Sequence, residues 1–74
     1  MLTIDRITSD PNIMQGKACI RGMRITVSIV LNLLANGMDK AEIIDLYPYL
    51  ENEDIDQCLN YAAYLADEKL YYFN

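Results

Sequence analysis

The 74-residue chain has no histidine and no tryptophan, two cysteines, two prolines, three glycines, and six cations against eleven acids. Each shortage excludes something. General acid–base catalysis near neutral pH rests on histidine, or on a carboxylate tuned by burial. The carboxylates here sit mostly at predicted helix starts and exposed faces, where capping and solubility account for them. The sequence has no glycine-rich phosphate loop, Cys–His pair or serine motif. The expectation is a chain that is not an enzyme and has no catalytic residue and no cofactor. Two thiols without histidine cannot supply the four N/S ligands of a structural zinc site, so no metal is expected either. MLTIDRITSD has neither a basic n-region nor a long apolar h-region. That predicts a cytoplasmic protein with Cys19 and Cys58 reduced. Asn32 interrupts the longest apolar run well short of the roughly 20 residues of a membrane span.

What remains is a small apolar chain, 53% hydrophobic, with no staple. A domain this short buries a modest share of its surface and is marginal alone. Another protein subunit is the stabiliser left, so a homodimer or higher homo-oligomer is expected. Charge is unevenly divided. Residues 1–38 carry Arg6, Lys17, Arg21 and Arg24 against Asp5 and Asp10, a net +2. Residues 39–74 carry two lysines against nine acids, a net −7. Any anion-seeking surface must lie in the first half.

A single domain is predicted, with an arm over 1–26, three helices over 27–69 and a tail over 70–74. The first helix, 27–36, places Val27, Val30, Leu31 and Leu34 at i, i+3, i+4 and i+7. Gly37 ends it as a C′ residue. Its polar residues, Ser28, Asn32 and Asn36, form one narrow stripe, so the helix needs cover nearly all round. Asp39 and Glu42 match a capping box, with Met38 and Ile43 as a hydrophobic staple. Pro48 stops that second helix near residue 46. The third starts near Asn52, its apolar stripe running through Ile55, Cys58, Leu59, Ala62, Leu65 and Ala66. Acids at 51, 53, 54 and 56 crowd its first turn, where the helix dipole favours them. Ahead of the helices, residues 3–8 suit a short strand. Residues 18–20 and 23–27 form either a hairpin around Arg21-Gly22 or one extended arm kinked at Gly22.

GKACIRGMRI, residues 16–25, concentrates three of the six cations. On one reading Lys17, Arg21 and Arg24, with Arg6 behind them, contact phosphate or a partner's carboxylates through the guanidinium fork. On the other they pair with acids of the C-terminal half, where surface pairs are typically worth under ~1 kcal/mol each. Helices two and three are ordered as in a helix-turn-helix, whose second helix enters the major groove by its N-terminus. Here that end reads ENEDID, and four acids would face phosphates. DNA contact is therefore expected from the basic segment instead. In a dimer with eight such cations, six phosphate contacts would give a log K against log[salt] slope of about −5. Tyr61, Tyr64, Tyr71 and Tyr72 lie near only one cation, Lys69, and read as a protein interface.

Gly16-Lys17, Cys19-Ile20-Arg21-Gly22, Arg24-Ile25 and Tyr47-Pro48, in one unbroken register over about residues 4–68, resemble the prokaryotic family called domain of unknown function 433. Ala18 stands where that family commonly has proline, Met23 where a small threonine is usual, and Glu51 at the usual Ser/Thr capping site. The resemblance implies a mainly α fold, a homeodomain-like helix-turn-helix bundle of three helices behind a short β-strand or hairpin arm. It implies an antitoxin-type module that binds a PIN-like nuclease toxin, with DNA as a second ligand. The alternative is a dimeric interaction or structural domain that binds no DNA.

Overall fold

The computed structural model describes residues 5–71, with side chains described over 5–67. Two short strands, β1 (Ile7–Thr8) and β2 (Cys19–Ile20), precede three helices, α1 (Val27–Ala35), α2 (Lys40–Leu46) and α3 (Asn52–Tyr71). The architecture is mainly α with a β arm in front, as the sequence predicts. Its third helix runs further than expected, so Leu70 and Tyr71 belong to α3 rather than to a tail. Tyr72 lies outside the described residues, as does the beginning of the predicted 3–8 strand.

Of the two alternatives left open for the arm, the structure shows the hairpin around Arg21-Gly22, with β1 added on its other side. β1 pairs antiparallel with β2, Ile7 opposite Ile20 and Thr8 opposite Cys19. On its other side β2 meets the approach to α1 through a bridge from Cys19 to Thr26. The N–H of Ile20 donates to Ile25 O at 3.1 Å and that of Val27 to Ala18 O at 2.9 Å. Between them the chain reverses at Arg21-Gly22, with φ of 48° and 71°. Positive φ at both central residues is the signature of a type I′ turn. An arginine in that region is strained by its Cβ; its side chain is held in compensation, as described below. Met14 and Gln15, also at positive φ, form a tight turn closed by Lys17 N–H on Met14 O at 3.1 Å.

The helix boundaries follow their caps. Thr26 Oγ1 accepts from the Ile29 N–H at the start of α1. At its end Gly37, φ 93°, donates to Leu34 O, and Met38 donates to Leu33 O, the paired bonds of a Schellman motif. Asp39 and Glu42 close both halves of the predicted capping box on α2. Tyr47, ahead of Pro48, ends that helix.

The core is one cluster: Ile20 and Ile25 from the arm, Val27 and Val30 from α1, Ile43 from α2, Leu50 from the α2–α3 connection, and Ile55 and Cys58 from α3. Only two residues of α1 are fully buried. Ile29 is exposed, and Leu31, Leu33 and Leu34 are half-buried, so the subunit leaves much of this apolar helix uncovered. α3 divides in the same way. Asp54, Ile55, Gln57 and Cys58 are buried, whereas residues 63–67 are all exposed. No described helix is long and apolar enough to cross a membrane.

Both cysteines are free thiols in the interior. Burial, and secondarily the charge of Asp54, push the Cys58 thiol up to about 12. At pH 8 it should carry about a thousandfold less thiolate than free cysteine, which titrates near 8.5. A thiol-specific reagent is thus expected to label Cys58 only after denaturant unfolds the chain, and rapid labelling of the native protein would contradict this environment. The sign for stability follows. The protonated thiol contributes fully below the unfolded value near 8.5. That contribution is lost as pH rises toward about 12.

Candidate partner-binding ribbon

The ribbon of residues 16–25 lies over the start of α3, and charge fixes it there. Asp54 is the third residue of α3 and its carboxylate is wholly buried. Four donors converge on it. Arg21 grips both oxygens, Nε to Oδ1 at 3.1 Å and Nη2 to Oδ2 at 3.0 Å, the bidentate fork that suits a guanidinium. Arg6 Nη1 donates to Oδ1 at 3.0 Å. The Glu51 backbone N–H donates to Oδ2 at 2.8 Å, so Asp54 also caps its own helix in the manner of an N3 acid. Arg6 Nη1 further donates to Glu51 Oε1 at 2.5 Å, and Arg21 Nη2 to Tyr49 O at 2.8 Å. Two cations and two anions make a locally neutral set.

Burial works against the Asp54 charge, but Arg21, the Glu51 N–H and Arg6 together outweigh it and hold the carboxyl below the usual range. The same bonds raise both arginines, Arg6 chiefly through Glu51 and then Asp54, Arg21 chiefly through Asp54. The strand is pinned a second way. Gln57, nearly buried, accepts from the Arg6 N–H at 2.7 Å and donates to Asp5 Oδ1 at 2.7 Å. The Arg21 N–H reaches Arg6 O at 2.7 Å, and the Gly22 N–H donates to Thr8 Oγ1 at 2.9 Å.

The predicted binding residues therefore separate into two groups. Arg6 and Arg21 pair with acids of the C-terminal half, the second of the two readings open for them. Lys17 and Arg24 do not: both are exposed, and neither enters an ion pair among the described residues. Lys40 pairs with Asp56. Of the cations whose side chains are described, only these two ribbon residues are unengaged. Of the tyrosines, Tyr61 is half-buried against the core cluster and Tyr64 is exposed. The side chain of Tyr71 lies outside the described set.

Sequence reading missed Asp54 and Gln57. It grouped Asp54 with its solvated neighbours at 51, 53 and 56. The available signal was register: Asp54 stands four residues before Cys58 and next to Ile55, on the face that turns inward.

A groove of about 590 Å³ opens on another side, between α1 and α3. Lys17 lines it and Arg24 does not.

A family model described as protein of unknown function (DUF433) matches residues 7–62. That span covers β1, the ribbon, α1, α2 and the packed half of α3. The curated proteins and the solved structures contain no match to the chain.

Proposed function

Because this chain belongs to the DUF433 family, we propose that it is a non-enzymatic, antitoxin-type module that binds a PIN-like nuclease by placing Arg24 among that enzyme's metal-binding carboxylates. One observation carries the reading. Arg6 and Arg21 are spent on Asp54, and this anchors a ribbon that presents Arg24 to solvent without an ion pair among the described residues. A guanidinium satisfies carboxylate oxygens in the geometry of the fork and replaces the charge of a metal there. The net charge of −5 repels an acidic partner elsewhere on the surface and favours this approach.

The test is inhibition of a PIN-like nuclease encoded beside this chain. Arg24→Glu is expected to weaken inhibition about 30-fold or more, the scale of an arginine hot spot, with unfolding midpoint unchanged. Full inhibition by this variant, or the lack of any such neighbouring gene, overturns the proposal.

A second reading, DNA binding, is favoured by the order of a short helix, a turn and a longer helix. Charge limits it. With Arg6 and Arg21 engaged, the two ribbons of a dimer offer four cations, Lys17 and Arg24 from each copy. The slope of log K against log[salt] should then be no steeper than about −3.6, shallower than the sequence alone suggests. Titration of the chain's own promoter region at several salt concentrations measures it, and a slope near zero removes this reading.

A further inference from the structure

α3 is 20 residues long, about 30 Å, and the described residues of its second half, 63–67, are exposed. Ile55, Cys58, Ala62 and Leu65 follow one another at intervals of three, four and three, the spacing of a coiled-coil seam. Ile55 and Cys58 are fully buried in the core. Ala62 is half-buried and Leu65 is 38% exposed. Among the described residues the seam thus continues past the core cluster and is only partly covered. There it becomes a wall of the groove, where Tyr61, Ala62, Leu65 and Ala66 face Val27 and Leu31 of α1.

We propose that this groove receives the second half of α3 from another copy of the chain, forming a two-fold dimer in which the seams pack antiparallel. Two features select this occupant over an unrelated helix. Ala62, Leu65 and Ala66 form an apolar face that lines the groove; a patch that is both groove wall and insert is self-complementary, as a two-fold interface requires. Charge also matches. Lys17, exposed and without an ion pair among the described residues, lines the groove, and Asp67, exposed, directly follows Ala66 on α3. Antiparallel seams set the Asp67 of each copy toward the Lys17 of the other. The dimer also covers the half-buried Leu31 that α1 leaves open. It uses no part of the Arg24 surface, so its failure and that of the nuclease reading are separate events.

Sedimentation equilibrium of the full chain across the micromolar range tests it. A dimer is expected, with Leu65→Glu raising its dissociation constant about 30-fold or more while far-ultraviolet circular dichroism keeps the helical signal. Lys17→Asp and Asp67→Lys should each weaken the dimer about threefold, and the doubly exchanged chain should recover the original affinity. A monomer at every concentration overturns the proposal and leaves the groove to a helix of another protein. A dimer indifferent to Leu65→Glu places the interface elsewhere and overturns it too. Failure of the double exchange to recover affinity overturns the antiparallel register.

Discussion

Asp54→Ala is expected to lower the free energy of unfolding by about 3 kcal/mol, the lower end of what breaking a buried ion pair costs. The reason for the lower end is geometric. The carboxylate is wholly buried, but the arginines keep 29% and 37% of their side-chain surface in contact with solvent, so water takes up part of their charge once the acid is gone. Against a typical stability of about 5–15 kcal/mol the loss is large. For a chain of this size it corresponds to a fall of roughly 12–24 °C in Tm. Urea unfolding with an unchanged m-value is the appropriate measurement. A pH series adds a second readout. The carboxyl is held below the usual range in the fold, so it contributes stability above its unfolded value of about 3.9 and loses that contribution as pH falls through the folded value. Wild type should therefore lose stability on acidification below about pH 4, and Asp54→Asn should lose less. A deficit under about 1 kcal/mol, the scale of a surface pair, with an unaltered acid limb would mean that solvent screens the cluster.

Ile20→Ala should cost about 2–5 kcal/mol, and Ile20→Val about 0.5–1.5 kcal/mol. Ile20 has no exposed surface, belongs to the core cluster, and lies in the strand that joins β1 to the approach of α1. Truncation leaves a cavity under the ribbon rather than between two helices. The consequence should be local as well as global. In native-state hydrogen exchange the amides of Ile20, Arg21 and Met23, which donate to Ile25, Arg6 and Ile20 respectively, should lose more protection than those of α2. Uniform loss of protection across the chain would argue that the ribbon has no separate opening. If Arg24 meets a partner as proposed, the same variant should also weaken binding without touching the contact, because the ribbon that aims it is loosened.

The helical part of this fold was legible because its signals are local. The seven residues of α2 follow from Asp39, Glu42 and Pro48, and the end of α1 from Gly37, all within a few positions of the feature they determine. The arm was legible only in outline. Strands of two residues carry almost no period, and the partner of Ile7 lies thirteen positions away. The left-handed backbone at Met14, Gln15 and Arg21 runs against residue type, since side chains with a Cβ disfavour it, so no composition rule finds it. The candidate site was half legible. That the cations gather in one segment is plain from the sequence. Which of them answer to Asp54 depends on pairs 33 and 48 positions apart, and charge counting cannot assign those. The burial of Asp54 itself was within reach, had the inward register of Ile55 and Cys58 been extended back by one turn.

The Asp54 cluster also bears on when the β arm can be anchored as the chain leaves the ribosome. Arg6 and Arg21 emerge early, and their native counter-ions, Glu51 and Asp54, follow only when the opening turn of the last helix leaves the exit tunnel. Until then the β arm has only its own few amide bonds and lacks the acid that anchors it. The arm's ionic anchor thus joins the N-terminal third of the chain to the C-terminal third.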